Sequence, residues 1–331
     1  MQRLIITVLF ISIFSSCGPK SINEYRFKPE SQNEVIKSKA PGLISGHSQF
    51  NTFEILPDTT IPKDVKKSNY PIILYGQKDV AIIFLHGFIA SPFEPSALGK
   101  ILNQEGYTVY IPLIEGFGGS TKLANTSDYQ NWKLTVKKSI ELLSPCFKKF
   151  VIIGFSLGGT IISDFILNQN IQENYQIESI VLLAPFYKPK IWGGNVANSF
   201  VNFFTNSVDL ETLYKVSRNP DLLIPLSNPD YYNSAMPLNA IKQLYAFSDE
   251  ITSLENSVTS DIPAFLIITE DDQTVDNEYS RYFVTKYFPN NEIFQFNKKD
   301  KIRHQFLVPE GNKHFGTLAD KISFFIKQKQ R

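Results

Sequence analysis

The feature that most constrains the fold is a regular alternation of short, apolar, β-branched runs with longer amphipathic stretches, beginning near residue 70. The runs predicted to be strands are residues 80–85, 107–111, 150–155, 179–183, 264–268 and 292–296. They are apolar almost throughout, as expected of strands in a parallel sheet that is covered on both faces. Alternating strands and helices with right-handed crossovers therefore predict an α/β fold with a doubly wound, mostly parallel sheet.

The amphipathic stretches predict helices between these strands. In residues 128–143, Trp132 and Val136 lie on one apolar stripe, and Ser127 with Gln130 forms a capping-box pattern at the start. A final stretch, residues 318–326, predicts a helix that closes the domain.

The alternation stops between residues 186 and 260. This segment is too long for a simple crossover loop, so it is expected to carry structure of its own. We predict a small, largely helical cap over the carboxyl edge of the sheet, with an ordinary surface insertion as the alternative.

The chain begins with the pattern of an export signal. Arg3 precedes a short apolar stretch, residues 4–14, which is shorter than the roughly 20 residues needed to cross a bilayer. The following Phe-Ser-Ser-Cys sequence, which ends at Cys17, resembles a bacterial lipobox, in which the cysteine becomes the lipid-modified first residue. We therefore expect a signal peptide over residues 1–16 and a polar tether over residues 17–42. A cleaved signal without lipid and an uncleaved anchor are the alternatives.

Lipid on Cys17 would attach the protein to a membrane of the bacterial cell envelope, the outer membrane being favoured over the inner. Residues 43–331 are then expected to form the α/β domain, although residues 43–65 match no element that we can assign.

Composition excludes several classes of protein. With 43% hydrophobic and 20% charged residues, the chain is not of the disordered type. Its net charge of +1 provides no field for binding nucleic acid. Two cysteines, Cys17 and Cys146, are too few for a disulfide scaffold or a cysteine-based metal site. No metal or organic cofactor is expected.

The strongest local signal is a G-x-S-x-G pattern centred on Ser156, between a predicted strand and an apolar helical stretch. Glycines at positions 154 and 158 permit the sharp turn that holds the serine Oγ clear of the backbone, where it can act as a nucleophile. The N–H of Leu157 is then expected to face the oxygen that gains negative charge during attack. A glycine-rich packing turn without chemistry is the alternative.

A serine nucleophile needs a base, and the chain has four histidines. His47 precedes the sheet and is expected to be packed or solvated. His86 directly follows the first predicted strand, in a position typical of loops that supply a second oxyanion N–H, here from Phe88. We therefore interpret His86 as structural. Of the remaining two, His304 is favoured because it follows a polar loop after the last strand, and His314 is the rival because it lies close to the closing helix.

The acid that orients the base is expected just past the predicted strand at residues 264–268. Glu270, Asp271 and Asp272 all lie there. Asp272 is favoured and Asp271 comes next. The chain order serine, aspartate, histidine is typical of this kind of nucleophile turn.

Residues 85–118 and 151–159, LHGFIASPFEPSALGKILNQEGYTVYIPLIEGFG and VIIGFSLGG, make the chain resemble the α/β-hydrolase family, and within it the carboxylesterase and monoacylglycerol-lipase-like branch. The likeness extends over about residues 70–328. It implies the α/β-hydrolase fold with a cap, a small-molecule ester or acyl substrate, and hydrolysis of carboxylic esters through an acyl-enzyme. Peptide or amide cleavage, acyl transfer, or an inactive lipid-anchored binding protein are the alternatives.

The resemblance also implies a role for each candidate residue. Ser156 is the nucleophile, His304 the base and Asp272 the orienting acid. Phe88 and Leu157 supply the oxyanion N–H groups. Where the family commonly has Gly-His-Gly, this chain has Gly-Phe-Gly at residues 116–118, and we expect the phenylalanine to add apolar wall to the pocket.

Overall fold

The computed structural model describes residues 61–168, 175–190, 208–209, 235–236, 238–254, 258–309 and 312–330. The predicted signal peptide, Cys17, the tether at residues 17–42, His47 and most of the predicted cap lie outside these residues. What the sequence indicates about them stays a prediction.

Within the described residues, seven strands form one sheet, and two further strands form a separate pair. In chain order the strands are β1 (Ile72–Leu74), β2 (Val80–Leu85), β3 (Thr108–Ile111), β4 (Lys149–Phe155), β5 (Gln176–Leu183), β6 (Val208–Asp209), β7 (Ala235–Met236), β8 (Ala264–Thr269) and β9 (Asn291–Phe296). The seven-stranded sheet has the order β1-β3-β2-β4-β5-β8-β9. All its pairs are parallel except β1 with β3, and β6 pairs with β7 antiparallel. The predicted strands and the mostly parallel sheet are confirmed, and β1 is an edge strand that the sequence analysis did not predict.

The helices are α1 (Ser96–Gln104), α2 (Thr121–Asn125), α3 (Tyr129–Leu143), α4 (Leu157–Asn168), α5 (Leu238–Thr252), α6 (Asn277–Tyr287) and α7 (Phe315–Lys329). Strands β2 and β8 are buried at every residue, because side chains that alternate between two faces are covered on both. Helices α3 and α4 pack together, and α1 packs against α7. Since β2, β4, β8 and β9 run parallel, the loops that follow them leave the sheet at one edge.

Helix α3 begins one residue later than predicted, and its N-cap is Asp128 rather than Ser127. The Asp128 carboxylate accepts the backbone N–H of Gln130 at 2.9 Å. The predicted capping box is wrong: Ser127 is buried with its Oγ against Gly116, and in the described residues that Oγ has no hydrogen-bond partner.

Helix α5 falls in the segment predicted to be the cap, and it is fastened to the body of the domain. Lys133 of α3 contacts Glu250 of α5 at 2.5 Å and Asp164 of α4 at 3.2 Å. The hydroxyl of Tyr129 also donates to Glu250, at 2.7 Å. Burial raises the pKa of Asp164, which lies in α4, the helix that follows the serine turn. One lysine therefore joins three helices, and one of them carries Ser156 at its amino end.

Candidate active site

Ser156 occupies the sharp turn between β4 and α4, with φ at +52°. Its N–H donates to the carbonyl of Leu183 at 2.9 Å, and its own carbonyl accepts the N–H of Phe186 at 3.1 Å. A Cβ atom at Gly154 would lie 2.5 Å from the backbone of Gly158, so the turn closes only with glycine there. The strained backbone of Ser156 is thus held by hydrogen bonds to Leu183 and Phe186, through both its N–H and its carbonyl.

The structure brings the side chains of Ser156, His304 and Asp272 together. The Nε2 atom of His304 lies 3.0 Å from the Ser156 Oγ, and its Nδ1 lies 2.7 Å from the Asp272 Oδ2. Asp272 is fully buried, and its other oxygen accepts the N–H groups of Thr274 and Val275 at 2.7 and 3.1 Å. With a carboxylate on Nδ1, the proton lies on that nitrogen and Nε2 is free to accept from the serine. This arrangement allows an imidazole to remove the proton of a hydroxyl.

The loop that delivers His304 is held by the end of β8. The Thr269 hydroxyl donates to the carbonyl of Ile302 at 2.5 Å, and the N–H of Asp272 donates to the carbonyl of Thr269 at 3.1 Å. The ring of Phe155, next to the serine, packs 5.0 Å from the imidazole of His304. One threonine therefore ties the loops of the acid and of the imidazole to the same strand end.

The rival residues have other contacts. His314 stands at the start of α7, 36% exposed, with its Nε2 3.6 Å from the carboxylate of Asp300. Glu270 accepts hydrogen bonds from Gln295 and from the N–H of Lys298. Among the hydrogen bonds of the described residues, none joins either side chain, or that of Asp271, to Ser156.

His86 is fully buried, and burial lowers its pKa from 6.5 to about 4. The ring is therefore neutral: Nδ1–H donates to the carbonyl of Gly87 at 2.8 Å, and Nε2 accepts the N–H of Ile114 at 3.1 Å. The Gly87 carbonyl and the Phe88 N–H belong to one planar peptide group, so fixing the carbonyl also fixes the direction of that N–H. The sequence analysis interpreted His86 as structural, but it predicted neither of these two hydrogen bonds.

Phe88 lies in the loop after β2, and Leu157 is the first residue of α4. In the part of the chain that the structure describes, neither backbone N–H donates a hydrogen bond to another protein group. The N–H of Leu157 also lies at the positive end of the α4 dipole.

Phe117 is fully buried behind Phe88 and does not present surface to a ligand. Its ring meets that of Phe88 edge-on at 5.4 Å and packs against Trp132 at 5.3 Å. The indole N–H of Trp132 donates to the carbonyl of Glu115 at 3.1 Å. The expectation that Phe117 lines the pocket is therefore wrong, because the side chain supports Phe88 from within the core.

The sequence analysis did not single out Glu94, whose buried carboxylate contacts the backbone of the loop after β2. The sequence offered one sign of its importance, since Glu94 is the single charged residue between Gly87 and Gly99.

Over the described ranges, no three His, Cys, Asp or Glu side chains lie close enough together to hold a metal ion. In the same residues no helix combines the length and apolar character needed to cross a membrane. Cys146 is exposed, and its thiol forms no disulfide.

Comparison with known proteins places this geometry in a family. The family model described as "Serine aminopeptidase, S33" matches residues 76–308, which is more than two thirds of the chain. The chain belongs to this family. The S33 match includes the loop after β2, the serine turn and the loops that carry Asp272 and His304.

Two curated relatives match a shorter part of the chain. It is 34% identical to the carboxylesterase of Bacillus subtilis (strain 168) over 82 residues, which are 24% of this chain and 33% of that one. It is 26% identical to the thermostable monoacylglycerol lipase of Bacillus sp. (strain H-257) over 82 residues, 25% of this chain and 33% of the other. The chain thus spans about a third of the length of the curated relatives it matches.

The S33 chain is also similar to a solved structure, a soluble variant of monoglyceride lipase from Saccharomyces cerevisiae in complex with a substrate analogue. The TM-score is 0.63 at 17% identity, and the match covers 84% of this chain and 98% of the yeast chain. This likeness confirms the α/β-hydrolase fold.

Proposed function

We propose that this chain is a serine hydrolase that cleaves carboxylic esters through an acyl-enzyme at Ser156. The observation that carries the proposal is the continuous chain of hydrogen bonds from the Ser156 Oγ through His304 to the buried Asp272. Ester substrates are favoured because the curated relatives are named carboxylesterase and monoacylglycerol lipase.

In the proposed mechanism, Ser156 Oγ attacks the acyl carbon while the Nε2 of His304 takes the hydroxyl proton. Asp272 stabilises the imidazolium that forms. The N–H groups of Phe88 and Leu157 receive the negative charge that develops on the carbonyl oxygen, and loss of one such donor typically lowers the rate ~10²–10³-fold. The imidazolium then protonates the leaving alcohol, and His304 removes a proton from the water that releases the acid.

The nucleophile can be tested with a fluorophosphonate, which reacts covalently with activated serines. We expect wild type and Ser144→Ala to be labelled, because Ser144 is a partly exposed residue that caps the carboxyl end of α3, and Ser156→Ala to remain unlabelled. A folded wild-type protein that does not react would refute the hydrolase proposal, and labelling of Ser156→Ala would refute the choice of nucleophile.

A second candidate, peptide cleavage by the same three side chains, is favoured by the description of the family as serine aminopeptidases. A panel of p-nitrophenyl esters of increasing chain length, a monoacylglycerol and aminoacyl p-nitroanilides separates the two. We expect turnover of the esters to exceed that of the anilides, and preferential cleavage of the anilides would reassign the enzyme to peptides.

Residues 186–260 are proposed to be the cap that shapes the substrate site. In their described part, Tyr245 of α5 packs edge-on against Phe186 at 6.2 Å. Phe186 is the residue whose N–H donates to the carbonyl of Ser156. Helix α5 is therefore one contact from the serine turn, which is the position a substrate-selecting element requires.

We further propose that the enzyme is exported and held on the bacterial envelope, the outer membrane being favoured, by lipid on Cys17. The support is the sequence of residues 1–17. Cys17→Ser should release the protein from membranes and stop incorporation of labelled fatty acid, whereas Cys146→Ser should do neither. Unchanged membrane retention of Cys17→Ser would contradict the proposal.

A further inference from the structure

The loop after β2 encloses a carboxyl group that takes no part in the proposed proton transfers. Glu94 is 2% exposed, and its Oε2 accepts the backbone N–H of Gly87 at 2.7 Å. The N–H of Glu94 donates in turn to the carbonyl of Ser91 at 3.0 Å. The carboxyl group thus closes the loop across seven positions of sequence. A buried carboxyl group is retained only where such partners compensate for its lost hydration.

Gly87 lies close to both this carboxyl group and the serine turn. A Cβ atom on Gly87 would be 3.2 Å from the Glu94 Oε2 and 3.1 Å from the ring of Phe155. Phe155 immediately precedes Ser156. Glu94 therefore holds Gly87 directly against the end of β4, where the nucleophile is presented.

Both backbone hydrogen-bonding groups of Gly87 are bound. Glu94 accepts the N–H, and the carbonyl accepts from the His86 ring and, at 3.4 Å, from the N–H of Ala90. Because the next N–H, that of Phe88, shares a peptide plane with the Gly87 carbonyl, any rotation at Gly87 would turn it. Ile89 follows at φ +52°, a conformation that a β-branched residue adopts only under constraint. The direction of the Phe88 N–H thus depends on contacts that hold the loop on both sides.

We propose that Glu94 is a positioning residue, which keeps the N–H of Phe88 aimed at the oxygen that becomes negatively charged during attack by Ser156. The inference rests on the proposed hydrolase function and extends it to a residue that does not touch the substrate. Oxyanion donors are effective because they are oriented before the reaction, so a loop free to rotate loses transition-state stabilisation while substrate binding changes little.

A pair of variants of similar volume separates the hydrogen bond from packing. Glu94→Met fills the site without an acceptor, and Glu94→Gln keeps an oxygen for the Gly87 N–H. With a short-chain p-nitrophenyl ester, we expect kcat of E94M to fall about 10-fold or more with little change in KM, less than complete loss of a donor would cost. Affinity for a trifluoromethyl ketone, whose adduct with serine carries an oxyanion, should fall in parallel, and E94Q should remain within about 3-fold of wild type. Glu141→Met, on the exposed face of α3, is the matched control.

E94M with the kcat and inhibitor affinity of wild type would overturn the proposal. The proposal would also be overturned if kcat of E94Q fell as far as that of E94M, because the charge of the side chain, and not its hydrogen-bond acceptor, would then determine the rate. If E94M shows no cooperative thermal unfolding, Glu94→Asp takes its place. Aspartate keeps the carboxyl group but is one carbon shorter, so its oxygen is withdrawn from the Gly87 N–H, and an unchanged kcat would again overturn the proposal. Wild-type turnover, measured first, shows separately whether the proposed function itself fails.

Discussion

The loops after β2 and β9 each carry a buried histidine, and the two rings are used in opposite ways. Both nitrogens of His86 are bound by backbone groups, those of Gly87 and Ile114. Both nitrogens of His304 are bound by side chains, those of Asp272 and Ser156. Backbone partners hold the first ring in one neutral tautomer. A carboxylate and a hydroxyl allow the second ring to gain and lose a proton.

The comparison teaches that burial alone does not identify a catalytic histidine. The partners of the second nitrogen decide its chemistry, since an imidazole that already accepts a backbone N–H cannot accept a proton from serine without breaking that bond. Substitution of His304 is therefore expected to lower activity, whereas substitution of His86 is expected to change the pH dependence of stability.

Replacing the proposed base, His304, should have the largest effect. We expect His304→Ala to lower kcat for a short-chain p-nitrophenyl ester at least about 10³-fold, since general-base catalysis is lost and Asp272 is left without its partner. Steady-state kinetics at pH 7.5 measure this. If His304→Ala were about as active as wild type, His304 would not be the base, and His314 would again be a candidate.

Titration of His86 should contribute to the pH dependence of the free energy of unfolding. Its folded-state pKa is about 4, below the ordinary 6.5, so the unfolded chain binds the extra proton first as the pH falls. The stabilisation is complete above about pH 6.5 and is lost as the pH falls towards 4, by about 3 kcal/mol in total.

Urea unfolding at pH 7.5 and pH 4.5 measures this contribution. We expect wild type to lose more stability between these pH values than His86→Asn, which lacks the titrating ring. Subtracting the two proteins removes the contribution of other titrating groups. Equal losses would show that the ring is not held neutral as its partners indicate.

Removing the hydrogen bond that holds the loop of His304 should have a smaller effect. Thr269→Val removes the hydroxyl that donates to the carbonyl of Ile302, at a cost of about 1–2 kcal/mol in the free energy of unfolding. Looser placement of His304 should lower kcat about 10-fold or less. Thermal unfolding and ester kinetics, compared with Thr252→Val at the end of α5, would test this. An unchanged kcat would show that His304 is oriented without the threonine.

The smallest effect is expected at the rival histidine. His314→Ala removes a partly exposed contact with the carboxylate of Asp300, and even fully charged surface pairs contribute only about 0–1 kcal/mol. Its kcat should equal that of wild type within error. A fall comparable to that of His304→Ala would contradict the arrangement of the two loops.

Much of the fold could be predicted because its signals are local. The apolar runs at β2, β4 and β8 each predict a buried strand, and the glycines on either side of Ser156 predict the turn. The short strand β1 could not be predicted, because three residues are too few to form a pattern and its pairing with β3 is antiparallel.

The contacts of the candidate site were harder to predict, because they join distant parts of the chain. His86 meets Ile114 across 28 positions of sequence, and no local pattern announces this bond. Glu94 resembles an ordinary solvated loop charge until the fold buries it. Ser127 suits an N-cap by residue type alone, but tertiary packing against Gly116 leaves that role to Asp128.

The lysine that joins three helices has a practical consequence for protein engineering. Because Lys133 links Asp164 and Glu250, helix α5 is bound to the domain body by side chains of the body itself. A chimaera that exchanges residues 191–234 for the corresponding segment of a relative would also replace β6, the partner of β7, but would leave the contacts of Lys133 in place. By the proposed role of the cap, such grafts would vary substrate preference without changing the contacts of Ser156, His304 and Asp272.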